Sequence, residues 1–491
     1  MTSKLFRLVK RVLVLLIVAA TALLVMRAWD SQRGPPLEPW HTYVPRDLHA
    51  AEIDKADWST YIRSEEAIFR ELRREVVDKI DAQDHALGNR FYAGSPIYPG
   101  NFTHDWNRSY ILEPDGAPVG AVVLLHGLTD SPYSLRHIAR RYRELGFVAV
   151  AIRMPAHGTV PAALTDVEWE DWAAATRLAV REARRRAGPS KPLHVVGFSN
   201  GGALAMNYTL DALKDDRLAR PDRLVLISPM IGITSFARFA GIAAVPAVLP
   251  AFAKAAWLGI VPEFNPFKYN SFPVNGARQS YRLTAALQDR IARAAREGGL
   301  DRLPPILTFQ SVVDFTVSTR AILSALYAHL PSNGSELVLF DLNRAAIVSP
   351  LLRNAAETVL SRILADPPRQ FRTVIITNAA PDTYDVVERV TEAGAVTEST
   401  RPLALAFPPG IFSLSHVALP FPMSDSLYGM QPDKAEEFFG VHLGEIAPRG
   451  ELGVLILNLD ALLRMSSNPF FPYLLERIEQ GIAEPWQPAH R

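Results

Sequence analysis

The chain has 491 residues, 48% of them hydrophobic, and a formal net charge of +1, enough for one large α/β domain with insertions or two to three average domains. The balanced charge gives no electrostatic reason to expect a nucleic-acid partner. With no cysteine, disulfides, thiolate metal sites, cysteine nucleophiles and lipid attachment at cysteine are excluded.

The N-terminal "KLFRLVKR" carries four cations, and an apolar run from Val12 to Met26 follows, closed by Arg27. At a helical rise this run covers about 22 Å, short of the ~30 Å of a bilayer core. Leu5, Phe6, Leu8 and Val9 extend it if the neighbouring cations snorkel. Residues 1–30 are therefore expected to be an uncleaved membrane anchor. The alternative is a cleaved signal peptide, which leaves a secreted chain. The excess of cations before the span puts the bulk of the chain outside the cytoplasm.

Residues 31–109 read as a Pro-rich linker followed by an amphipathic helix over Ser59–Ile80, whose outer face is densely charged. From about Tyr110, short Val/Ile/Leu runs alternate with helical stretches. The runs are Ala121–Leu125, Phe147–Ile152, Leu193–Val196, Leu224–Ile227, Ile306–Phe309 and Leu337–Phe340. Their lack of polar alternation predicts strands buried on both faces, and the rhythm predicts a mostly parallel sheet covered by helices. This core is expected over 110–231 and 300–491. The very apolar stretch from Gly232, within 232–299, reads as an inserted helical cap. Its Phe239, Phe252, Trp257 and Phe264 either line a substrate pocket or bury the cap's own core. A second insertion near 345–404 is expected to add a strand at "TVIIT".

The chemistry centres on "HVVGFSNGGALA", His194–Ala205. A buried strand stops at a G-x-S-x-G turn, and small residues continue as a helix. Gly197 and Gly201 flank Ser199 where side chains would crowd a tight corner, so Ser199 is the candidate nucleophile. His126-Gly127 ends an earlier strand. The N–H groups of Leu128 and Asn200 are candidate oxyanion donors, and His126 itself reads as a structural loop histidine.

"LLHGLTDSP", "RMPAHGTVPAAL" with "WEDW", and "GFSNGG" resemble the α/β-hydrolase superfamily, within its monoacylglycerol-lipase, lysophospholipase and serine-aminopeptidase-like branch. The resemblance implies a sheet of about eight strands, a cap after the sixth, and a triad in the order Ser, Asp or Glu, His. By that order Asp314, just past "ILTFQ", is the candidate acid, with Asp341 as its rival, and His416 in "FSLSHVALPFP" is the candidate base. About 100 residues separate Asp314 from His416, so an insertion must loop out and return to the same sheet edge. The expected activity is hydrolysis of carboxylic esters with an apolar acyl or alcohol part, with no cofactor or metal required and a small-molecule, lipid-like ester as the partner. Acyl transfer or peptidase chemistry on the same triad, and a non-catalytic binding protein, are the alternatives.

Overall fold

The computed structural model describes residues 2–233, 245–347, 349–352, 358–444 and 464–483. Helix α1, Thr2–Ser31, contains one stretch, Phe6–Trp29, long and apolar enough to cross a membrane. Helix α2, Trp58–Glu75, turns Tyr61, Glu65, Ile68 and Leu72 inward, and Asp57 caps it by accepting from Thr60 N–H at 2.7 Å. The Pro-rich segment before α2 lies on the core, where Trp40 is buried and stacks on Phe91. Arg153, itself buried, ties this N-terminal region to the sheet through Asp47 at 2.6 Å and Glu65 at 3.1 Å.

One sheet of ten strands forms the body. In chain order these are β1 (Tyr110–Leu112), β2 (Gly120–Leu125), β3 (Phe147–Ile152), β4 (Leu193–Phe198), β5 (Arg223–Ile227), β6 (Ile306–Ser311), β7 (Glu336–Phe340), β8 (Arg372–Asn378), β9 (Asp385–Thr391) and β10 (Glu398–Ala406). Their spatial order is β1-β3-β2-β4-β5-β6-β7-β8-β9-β10. Strands β2 to β8 run parallel to one another, whereas β1 is antiparallel to β3, β9 to β8 and β10 to β9. The six expected apolar runs are all strands. β2, β3, β4, β6 and β7 are buried at every residue, because helices and loops cover both faces.

Helices α3 (Arg136–Glu144), α4 (Trp169–Ala187), α5 (Asn200–Ala212), α6 (Val274–Arg296) and α7 (Phe471–Ala483) complete the layers. One core cluster takes in α4, α5 and the inner face of α6. The other lies on the opposite face of the sheet under α3 and α7. The sheet exceeds the expected eight strands because the second insertion contributes β8, β9 and β10. The "TVIIT" strand is β8, and it pairs with β7. Pairing with β8 covers one edge of β9. The outermost strand, β10, is largely exposed and carries polar or charged side chains over Glu398–Arg401.

Candidate active site

β4 ends at Phe198 and α5 begins at Asn200, so Ser199 alone makes the corner. Its φ of 53° lies in the left-handed region, which costs a non-glycine residue about 1–3 kcal/mol. Surrounding bonds hold it there: Ser199 N–H donates to Ile227 O at 2.9 Å, and Met230 N–H donates to Ser199 O at 2.9 Å. A Cβ on Gly201 would stand 1.9 Å from Leu125 O, and one on Gly197 would stand 2.4 Å from Gly201 O. The two flanking glycines are thus a steric requirement of the corner.

Ser199 Oγ–H donates to His416 Nε2 at 3.0 Å, and His416 Nδ1–H donates to Asp314 Oδ2 at 2.8 Å. The carboxylate selects the tautomer that leaves Nε2 free to accept from the serine. The Asp314 side chain is fully buried. Its Oδ1 accepts from the N–H groups of Thr316 at 2.9 Å and Val317 at 3.0 Å. Its Oδ2 also accepts from Gln310 Nε2 at 3.1 Å. The cap of the following helical turn is Ser318, whose Oγ accepts from Ala321 N–H, which leaves Asp314 to the histidine. The rival Asp341 faces elsewhere, accepting from Thr377 Oγ1 at 2.9 Å with Arg344 at 3.5 Å.

The His416 loop returns across the 102-residue gap by specific ties to the sheet edge. Ser311 Oγ at the end of β6 donates to Leu414 O at 3.0 Å, and Asn343 N–H beyond β7 donates to Phe412 O at 2.7 Å. Residues Ser413–Leu414 pair in parallel with Arg464–Met465. The Phe198 ring stacks against the imidazole at 5.4 Å.

His126 lies away from this group. Its Nδ1–H donates to Gly127 O at 2.9 Å and its Nε2 accepts from Met154 N–H at 3.0 Å. Burial, then the neighbouring His157, holds it well below the ordinary histidine range. A ring that is neutral near pH 7 therefore pins the Gly127–Leu128 turn. Thr129, at φ 62°, is pinned from the other side, its carbonyl accepting from Tyr269 N–H at 2.8 Å. Asn200 N–H is the first of its helix and has no acceptor within it.

A cavity of about 420 Å³ opens over Ser199 and His416. Leu128, Phe198, Met230, Ile233, Phe272 and Ala277 give it apolar walls, while Lys268, Asn270 and Thr316 add polar ones. Of the four aromatics singled out from the sequence, Phe239 lies outside the described residues. Trp257 is buried against the His41 ring, Phe264 packs against the second core cluster, and neither they nor Phe252 line the cavity. Sequence reasoning missed Phe272, Lys268 and Gln310. Only Gln310 carried a signal, as a polar residue near the end of a buried strand four positions before the acid.

Residues 116–344 match the family model described as serine aminopeptidase, S33. A thermostable monoacylglycerol lipase from Bacillus sp. (strain H-257) is 30% identical over 92 residues, which are 19% of this chain and 35% of that protein. The match thus spans about a third of the length of that curated relative. Among solved structures, a monoglyceride lipase from Saccharomyces cerevisiae is 14% identical over 47% of this chain and 80% of its own, with a TM-score of 0.34. The Paleococcus ferrophilus monoacylglycerol lipase is 16% identical over 47% of this chain and 88% of its own, also at 0.34. The strand order, with the serine corner between β4 and α5, is that of an α/β-hydrolase fold, and within it residues 116–344 are similar to the serine aminopeptidase, S33, family.

Proposed function

We propose that this chain is a serine hydrolase cleaving carboxylic esters with an apolar acyl or alcohol part. The observation that carries the reading is the Ser199–His416–Asp314 relay at 3.0 and 2.8 Å on the floor of an apolar cavity. Ser199 Oγ attacks the ester carbonyl as its proton passes to His416 Nε2, and Asp314 stabilises the imidazolium. The Leu128 and Asn200 amides receive the oxyanion, each donor worth about 10²–10³ in rate. The tetrahedral intermediate collapses by breaking its bond to the alcohol oxygen, which takes the proton from His416. A water then gives a proton to His416 and attacks the acyl-serine. The acid leaves as the Ser199 Oγ–acyl bond breaks, and the proton returns to Ser199.

The cavity favours an ester over a peptide amino terminus. Among the described residues that line it there is no carboxylate to receive an ammonium group, and its one charged side chain is Lys268. In the same reading α1 is a membrane anchor with the hydrolase body outside the cytoplasm; a secreted form after cleavage is the competing outcome. The test is a series of p-nitrophenyl esters of increasing chain length with wild type and Ser199→Ala. Turnover that the variant loses supports the reading. Equal turnover, or none by well-folded wild type, removes it.

A further inference from the structure

A second cavity, of about 310 Å³, lies between α2 and the segment that follows it. That is the size of the smaller small-molecule sites. Residues 116–344, which carry the family match, contribute Gly158 and Thr159 to its walls, and the rest comes from the N-terminal segment. On α2, Phe69, Leu72 and Arg73 stand at helical spacing and share the face that lines it. Phe91 and Tyr98 continue the apolar wall.

The charge of the lining is one-sided. Arg70, Arg73, Arg90 and Arg108 face one carboxylate, Asp105. Asp105 is already engaged: its Oδ1 accepts from Asn107 N–H at 3.1 Å and its Oδ2 from Arg108 Nε at 3.3 Å. Exposed arginines such as Arg70 and Arg73 are ordinary on a surface. Arg90 is not ordinary.

Three arginines, Arg90, Arg136 and Arg153, are among the largest fully buried side chains. Arg136 meets Asp425 at 2.7 Å, and Arg153 meets Asp47 at 2.6 Å. Arg90 is 2% exposed, lines the cavity, and pairs with no carboxylate among the described residues. Its Nη1 donates to Asn265 O at 3.2 Å and its Nη2 to Asn107 Oδ1 at 3.3 Å, both neutral oxygens, and its Nε–H has no acceptor. The field of Glu263 reaches it, but that carboxylate accepts from the N–H groups of Asn270 at 2.9 Å and Ser271 at 2.7 Å. A buried guanidinium without a bonded anion is costly, and an oxyanion in the adjoining cavity supplies the missing charge.

We propose that this cavity binds a small organic anion. A phosphate or carboxylate head is drawn by Arg90 and the three outer arginines, and a compact apolar body lies against Phe69, Leu72 and Phe91. The cavity shares no lining residue with the one over Ser199, so the assignment stands independently of the esterase reading.

The test is calorimetric titration of the full chain in a non-ionic detergent with phenyl phosphate, benzoate and, as the uncharged control, benzyl alcohol. Phenyl phosphate is expected to bind one-to-one and tighter than benzoate, because its second charge engages a further guanidinium. Benzoate as the tighter ligand would make the head a carboxylate and uphold the site. Arg70→Glu combined with Arg73→Glu, both exposed on α2, should fold as wild type and weaken the anion about tenfold. Arg90→Gln should remove binding, and Lys268→Gln, in the other cavity, should bind as wild type. A folded wild type that binds neither anion overturns the proposal, as does benzyl alcohol binding equally well. An affinity that the α2 variant leaves unchanged also overturns it. Loss in Lys268→Gln with binding kept in the α2 variant would place the anion over Ser199 and overturn it too.

Discussion

Among the described residues two aspartate–histidine pairs have a buried carboxylate, and one of them lines the cavity over Ser199. Asp425 Oδ2 accepts from His137 Nε2 at 2.9 Å, nearly the separation of Asp314 and His416. Asp425, however, also takes Arg136 Nη1 at 2.7 Å, Tyr133 Oη at 3.1 Å and the backbone N–H groups of Leu427 and Tyr428. Burial alone would raise its carboxyl, but Arg136 and these bonds override it and hold the group well below the usual range. The pair fastens the Asp425 loop to α3. The Asp314 pair is anchored by backbone N–H groups and the Gln310 amide, and its imidazole ends at a strained serine. Pairing distance does not distinguish structure from chemistry here; what the imidazole's second nitrogen faces does.

The sharpest separation is expected from Ser199→Ala, which should reduce ester turnover by about 10⁴-fold or more while leaving thermal unfolding nearly unchanged. Asp314→Asn should follow at about 10³–10⁴-fold, since the amide no longer selects the productive tautomer. Asp341→Asn, whose partners are Thr377 and Arg344, should leave kcat within about twofold. An equal loss in both variants would mean that the acid has been misassigned. Asp425→Asn should invert the pattern: about 3 kcal/mol of stability lost in denaturant titration, because a buried Arg136 keeps Glu436 but loses its nearer carboxylate, and kcat per folded molecule retained.

The pH dependence of stability adds a further measurement. Burial lowers His41 and His157 to about 4 and His194 to about 3, and it lowers His126 and His137 as well. Each stays neutral in the fold but takes a proton near pH 6.5 once unfolded. Their contribution is therefore present above about pH 6.5 and lost as pH falls toward the folded values. Tm should drop between pH 7 and pH 5 in wild type; a flat profile would show that these rings are charged or exposed. Gln310→Leu is expected to lower kcat about tenfold with KM unchanged, the worth of one hydrogen bond to a charged group.

The legible parts of this fold are those where local sterics leave one solution. β2 to β7 could be read because strands buried on both faces must be apolar throughout, and the serine corner could be read because Gly197 and Gly201 have no room for a side chain. His416 was legible by chain order, yet nothing local announces that Ser311 and Asn343 bring its loop back to β6 and β7. β9 and β10 escaped because an edge hairpin with exposed, charged residues lacks the apolar run that marks a buried strand. Phe272 escaped because its place on the cavity wall comes from pairing with Trp257–Gly259, a contact its neighbours in sequence do not signal.

The relay at Ser199 is tested most directly by intact-protein mass spectrometry after treatment with a fluorophosphonate, with the modified peptide sequenced. The account predicts one adduct on Ser199, absent in Ser199→Ala, strongly slowed in His416→Ala and Asp314→Asn, and formed at the wild-type rate in folded Asp425→Asn. An adduct that persists in Ser199→Ala, or a folded wild type that takes none, would contradict it.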